Sequence, residues 1–442
     1  MALTKVNKYT NLKIKEEKSA KYEEEYKHII LPNGLNVYLY NKEGFNSTYV
    51  TYSVNYGSID NEFVPYNMDE YVKMPEGIAH FLEHKTFECA DGIDATEKLM
   101  DLGADANAYT SYEETVYLFS TTENVNEAVI TLLDFVSEAA YTKESVKKEQ
   151  DIIEQERAMY ADNPSAVVKR NALKLIYKNH PISIDIAGTK SSIKEITKEK
   201  LDLCHKTFYQ PSNMRLIIVG KFDYDSLLKA IVDNQDSRCN SKEDIKRRRY
   251  YENEEITKQS IIEQMDVNMP IVLLAIRIPQ EELSYVDREK RELYLTYWLK
   301  NSFDHNSSFY QQIKKTGLVS SPLVYQATIS ETYQYMMVSG TTTDEKEFSQ
   351  LVKKELLSIK NKSVDIDKYN RYVKKVKASV IRSFNSLEGI NNNLQEADDA
   401  KMSLFEYIDK TIKLSIEELK ATQAYFDEEY LVESIIIPKK RK

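Results

Sequence analysis

Cysteine, glycine, basic excess and long apolar runs are all scarce in this chain. Three cysteines occur in 442 residues, Cys89, Cys204 and Cys239, and none forms a CxxC pair. An odd, widely spaced set argues against a disulfide framework and for a reducing compartment. No stretch approaches the roughly 18 consecutive apolar residues of a membrane span, so no membrane partner is expected. The leading MALTKVNKYTNLKIKEEKSAKYEEEYK has no signal-peptide core and too many glutamates for a mitochondrial presequence, so the cytoplasm is the expected location. Lys and Arg total 60 against 70 Asp and Glu, a net charge of −10. Duplex binding needs a concentrated basic face, so nucleic acid is not an expected partner. The basic clusters KRRR (246–249) and KKRK (439–442) read as a solvated linker and a charged chain end. No G-x-S-x-G elbow, Walker loop or dinucleotide fingerprint is present.

What is there is a globular composition, 42% hydrophobic and 29% charged, in a chain long enough for two or three domains. HIILPNGLNVYLYN (28–41) sets two apolar stretches around Asn33-Gly34, a strong hairpin signal. A strand follows at 47–58, with helices at 92–102 and 124–140 and a strand–turn–strand at 107–122 between them. A long helix is expected from about Lys143 to Tyr160, broken at Asp162-Asn163-Pro164. Residues 236–260 are polar and aperiodic and read as a linker. Beyond it the pattern restarts with a strand at 269–279 and helices near 282–300, 345–361 and 366–385. FYQPSNMRLIIVG (208–220) and YFDEEYLVESIIIP (425–438) share an aromatic pair, a turn and a closing apolar strand. Duplication of an α+β domain is the simplest reading of that likeness. The expected division is an N-terminal extension at 1–27, a first domain at 28–235, the linker, and a second homologous domain at 261–442.

The chain has six histidines, and two of them stand in GIAHFLEHKTFE (77–88). Side chains at i and i+4 share a helix face, so His80 and His84 can offer two nitrogens to one ion. Glu83 projects beside them, placed to take a proton from a water at the open position; the order H-x-x-E-H inverts a common zinc-peptidase motif. The apolar surroundings Ile78, Ala79, Phe81, Leu82 and Phe87 place the helix inside, where a His-Glu-His cluster without a metal would be costly. A third ligand is available in KKEQDIIEQERAMYADNP (147–164). There Glu149 and Glu156 lie two turns apart on one face, beside an apolar stripe of Ile152, Ile153 and Met159, and Glu156 is the expected ligand. The remaining histidines, His28, His180, His205 and His305, are not spaced for a metal and read as structural or surface residues.

Together with GADANAYTSYEETVYLFS (103–120) and NHPISIDIAGT (179–189), these motifs resemble the pitrilysin/insulinase family of zinc metallopeptidases. The resemblance is to its bacterial half-length members, which work as pairs, and it covers residues 28–235, thinning after 260. It implies an α+β fold of two homologous domains, like that of the mitochondrial processing peptidases. Each domain would be a mostly antiparallel β-sheet with helices packed on one face. It implies one Zn2+ per chain on His80, His84 and Glu156, with Glu83 as general base and Glu149 as a carboxylate that orients a ligand or supports the base. It also implies that Asn107, Ala108 and Thr110 lie on an edge strand where a peptide substrate adds as a further strand.

Active members use an Arg–Tyr pair, spaced seven apart, to stabilise the developing oxyanion. In FYQQIKKTGLVSSPLVY (309–325) the matching positions hold Ile313 and Ser320, while Lys314 and Tyr325 stand at the wrong spacing. The reading is therefore a zinc endopeptidase subunit that cleaves peptides, leader or processing peptides among them, in a closed chamber. A homologous partner subunit, a different chain or a second copy, would supply the missing pair. The alternative is a catalytically weak or inactive peptide-binding or assembly subunit. A closed structural zinc site fits poorly, because such sites are Cys-rich.

Overall fold

Asn33-Gly34 turns the chain as the sequence suggests: Gly34 adopts φ 91° and its amide donates to the Leu31 carbonyl at 2.8 Å. The computed structural model describes residues 12–238, 244–252 and 255–439; Cys239, part of the expected linker and residues 1–11 of the expected N-terminal extension lie outside them. The first half runs β1 (Ile14–Ser19), β2 (Glu24–Ile30), β3 (Asn36–Asn41), β4 (Thr48–Val54), β5 (Glu62–Phe63) and β6 (Val72–Lys73). There follow α1 (Ile78–Thr86), α2 (Ala95–Asp101), β7 (Asp105–Thr110), β8 (Thr115–Thr121), α3 (Val125–Ser137) and α4 (Lys143–Ala161). It closes with α5 (Pro164–Ile176), α6 (Lys190–Lys194), α7 (Lys198–Phe208), β9 (Met214–Gly220) and α8 (Tyr224–Gln235). The second half runs β10 (Ser260–Met265), β11 (Ile271–Arg277), α9 (Tyr285–Phe303), α10 (Ser308–Lys315), β12 (Val324–Ile329), β13 (Gln334–Thr341) and α11 (Glu345–Ser358). It ends with α12 (Ile366–Ser383), α13 (Leu387–Asp399), α14 (Leu404–Thr411), α15 (Ile416–Ala421) and β14 (Leu431–Pro438).

Two sheets carry the fold. One has the order β1-β2-β3-β9-β4-β8-β7, the other β10-β14-β11-β13-β12. In each, one pair is parallel (β3 with β9, β10 with β14) and the others are antiparallel. Superposing the orders matches β3, β9, β4, β8 and β7 with β10, β14, β11, β13 and β12, so the domain is duplicated. The likeness of 208–220 to 425–438 is the likeness of β9 to β14.

The chain forms two compact units, Met1–Glu154 with Ile186–Arg248 and Val380–Phe405, and Gln155–Asp185 with Arg249–Ser379 and Glu406–Lys442. Neither is a continuous stretch: α5 belongs with the second sheet and α13 with the first. In the first unit β4 alternates with period two. Val50, Tyr52 and Val54 enter a core shared with Phe81 and Leu82 of α1 and Leu132 of α3, each large side chain contributing roughly 1.5–3 kcal/mol. The other face of β4 is polar and buried under α13: Thr51 donates to Asn391 at 2.9 Å, and Ser53 accepts from Arg215 at 2.9 Å. A sheet face reserved for a helix from the other half adds to the expected one-sided packing. In the second unit α5 does the equivalent, Arg277 donating to the Ile176 carbonyl at 3.0 Å.

Two sequence expectations need correction. The apolar stripe of α4 is narrower than Ile152, Ile153 and Met159 suggested: Ile153 is fully buried, whereas Ile152 and Met159 are 53% and 76% exposed. Val146 and Ile153, seven apart, are the buried residues of this strongly charged helix. The KRRR cluster is not simply solvated, because the Arg247 side chain is buried against Asp60 at 2.9 Å and its segment pairs with β5. A buried aspartate needs that counter-charge.

Arg215 itself is buried, donating to Glu114 at 2.9 Å, Asp398 at 3.2 Å and Asp399 at 2.5 Å. Replacing it by methionine leaves these carboxylates without their cation. Arg215→Met is therefore expected to destabilise the first unit by roughly 3–5 kcal/mol, read as a lowered urea midpoint.

Candidate metal centre

Helix α1 starts where the chain needs glycine. Gly77 caps it at φ 86°, and a Cβ there would lie 2.5 Å from the Ala187 carbonyl oxygen. A Cβ on Gly188 would lie 2.3 Å from the Glu76 carbonyl oxygen, and Ser192 Oγ donates to that same oxygen at 2.8 Å. The NHPISIDIAGT segment thus ends as a backbone clamp on the entry to α1. The buried face of the helix is Ile78, Ala79, Phe81, Leu82, Lys85 and Thr86, with Glu83 also buried.

His80 and His84 stand one turn apart, ring centroids 4.6 Å from each other. Glu156, on α4, joins them: candidate ligand atoms of His80, His84 and Glu156 all lie within 4.8 Å of one another. Donors on a common zinc at about 2.0–2.1 Å stand somewhat closer than that, so small side-chain rotations complete the cluster. The donors also fit zinc in their orientation. His84 Nδ1 faces Glu149 Oε1 at 3.1 Å, which leaves the other ring nitrogen for a metal, the usual arrangement behind a ligating histidine. Burial, reinforced by the adjacent His84, pushes His80 down to about 4, so its imidazole is neutral and able to ligate at pH 7. Burial alone would raise the Glu149 carboxyl, but hydrogen bonds from His84 and Lys85 outweigh it and hold it below its ordinary value.

Glu83 accepts a hydrogen bond from Thr110 Oγ1 at 2.6 Å. Thr110 ends β7, which is the edge strand of its sheet, and Ala106 and Ala108 precede it on the same face, packed against the core. Asn107 points outward, its Oδ1 accepting from the Ala108 amide at 2.8 Å, and Tyr109 is exposed. The structure thus brings Glu83, Glu149, His80, His84 and Glu156 together and places Asn107 and Ala108 on a strand edge. It turns the Thr110 hydroxyl toward Glu83 rather than along that edge. Ile313 is buried in the second unit's core and Ser320 is exposed. Tyr325 donates to Asp304 at 3.2 Å. His180 and His205 are buried and bonded within the fold, to Thr332 and to the Val136 carbonyl, both at 3.0 Å.

Sequence reading missed Lys85. It is buried, bound to Glu88 and, at 3.2 Å, to Glu149. Its signal was present: Ile78, Phe81, Leu82 and Lys85 follow i, i+3, i+4, i+7, which puts a lysine on the apolar stripe.

Two imidazoles and one carboxylate, with a further carboxylate alongside, form the open kind of zinc donor set rather than the closed structural kind. Set in a duplicated α+β unit, they are the donor types that metallohydrolases use. The comparisons narrow that class, and the chain belongs to the insulinase family of peptidases, family M16. The model described as insulinase (peptidase family M16) matches residues 71–190, and that described as peptidase M16 inactive domain matches 195–376. The uncharacterized zinc protease YmfH of Bacillus subtilis is 35% identical over 394 residues, covering 89% of this chain and 92% of its own. The crystal structure of an M16-like peptidase from Alicyclobacillus acidocaldarius superposes with TM-score 0.87 at 29% identity, covering 97% of this chain and 99% of that one. Pitrilysin shares the fold, with TM-score 0.74 at 17% identity over 97% of this chain, which spans 46% of the pitrilysin chain. Among the described residues no helix is long and apolar enough to cross a membrane.

The lowered pKa of His80 carries a stability consequence. Between pH 6.5 and about 4 the unfolded chain binds a proton that the folded, metal-free chain does not, so stability is lost as pH falls through that window. The loss attributable to His80 is about 3 kcal/mol. Urea unfolding of metal-free protein at pH 7 and pH 4 should show it, and His80→Asn should flatten the dependence.

Proposed function

We propose that this chain is a zinc endopeptidase subunit that hydrolyses peptides, leader or processing peptides among them, in a chamber completed by a homologous partner. The observation that carries the reading is the cluster of His80, His84 and Glu156 with Glu83 beside it, next to β7, the edge strand of its sheet among the described residues. The zinc donors are His80, His84 and Glu156, and Glu149 fixes the ring of His84. A bound zinc would supply Lewis acidity, polarising the scissile carbonyl and acidifying a water. Glu83 takes the proton from the attacking water and passes it to the leaving amine. The backbone around Asn107 and Ala108 holds the peptide as an added strand, and Thr110 holds the base.

The oxyanion still needs donors. Ile313 offers none and is enclosed in the core, which supports an Arg–Tyr pair arriving from a partner subunit, a different chain or a second copy. The same observation favours the second reading, a peptide-binding or assembly subunit with little activity. Cysteine usage supports the cytoplasm as the site of action.

Cleavage of a mixed peptide library by the zinc-loaded chain, alone and with the candidate partner, separates these readings. Glu83→Gln is expected to keep its zinc and lose roughly 10²–10⁴-fold in kcat. Thr110→Val is expected to lose about tenfold in kcat with little change in KM, and Thr110→Ser to restore it. A wild type without zinc sinks the metal reading, and a zinc-loaded pair that cleaves nothing leaves the assembly reading.

A further inference from the structure

Lys85 follows the second histidine of the motif, and its ammonium reaches Glu149, the carboxylate that also faces His84. It is 1% exposed and lies among the most fully buried large side chains of the chain. An ammonium so placed is unfavourable unless its charge is met on more than one side. Here two carboxylates meet it: Glu88, one turn further along, and Glu149 Oε2 at 3.2 Å. Glu88 in turn accepts from Ser145 Oγ at 2.7 Å, near the start of α4. The other oxygen of Glu149 is the one that faces His84 Nδ1. A single carboxylate therefore spans two consecutive residues of α1, a lysine on one oxygen and a histidine on the other.

We propose that Lys85 is a positioning residue of the metal centre, fixing Glu149 so that His84 is held in one tautomer and one ring orientation. The physical argument is geometric. A carboxylate anchored through one oxygen can still swing about its last side-chain torsions, and His84 would swing with it. Anchored through both oxygens it presents one lone-pair direction to the imidazole. Glu149 accepts the hydrogen bond from His84 Nδ1–H, which leaves the other ring nitrogen for a metal. The bond from Glu88 to Ser145 ties the same lysine to the start of α4, the helix that carries Glu156. One cation thus aligns the histidine helix with the glutamate helix.

The inference rests on the metal-centre reading and not on peptidase activity, so the test reads metal affinity. Zinc dissociation constants of the full chain are measured by competition with a chromophoric chelator, with the urea midpoint of the metal-free form alongside. Lys85→Met, close in length and without charge, is expected to weaken zinc binding roughly 10–100-fold, as is Glu149→Gln. Because both act through one carboxylate, the double variant should lose no more than Glu149→Gln alone. If Lys85→Met does not fold, Lys85→Gln carries the same comparison. Wild-type affinity in a folded Lys85 variant, or losses that multiply in the double variant, overturns the proposal and leaves Lys85 a strut for stability. Absence of zinc binding in the wild type overturns the metal reading itself and this inference with it.

Discussion

Everything at the candidate centre depends on the spacing between two helices, α1 and α4. Their donors come from distant parts of the sequence, yet have to share one ion. Apolar packing alone sets such a spacing loosely, since the buried residues of α4 are just Val146 and Ile153. Directional contacts do the rest. His84 and Lys85 grip Glu149 from α1, and Ser145 returns the grip to Glu88. Each needs a particular atom at a particular distance, so together they define the approach of the helices more sharply than methyl groups could.

The base is held with equal economy. Thr110 reaches Glu83 from the last residue of the edge strand, and small residues at 106 and 108 let that strand lie against α1. The hairpin behind it is pinned in turn. Gly57 leaves no room for a Cβ beneath the Tyr112 carbonyl, and Glu114 joins the Arg215 cluster. The strand offered to a ligand is thereby a rigid one.

What could be read from the sequence was local. The Asn33-Gly34 turn, the stop at Pro164 and the strand that became β4 arise from neighbours along the chain, and each appears where expected. The histidine pair was legible for the same reason, because helix geometry fixes the i, i+4 relation. Glu156 required a guess across the chain, which the spacing from Glu149 made tractable. Lys85, the inward turn of Thr110 and the burial of Arg247 were not read, since each depends on which charge or hydroxyl arrives from elsewhere. The stripe on α4 was over-read because periodicity tells which residues share a face, not how much of that face is covered. Exchange of α5 and α13 between the sheets left no local trace.

That exchange bears on synthesis. As the chain leaves the ribosome from its N-terminus, the first sheet is complete in strands once β9 has emerged, yet its covering helix α13 is still to be translated. The face left waiting sets Thr51, Ser53 and Arg215 beside aliphatic neighbours, Ile217 and Val219 of β9, which are buried in the finished fold. Water can satisfy the polar groups in the interval, while the aliphatic ones need α13 to cover them. The first sheet therefore has both faces covered only after the tail of its own chain has been made.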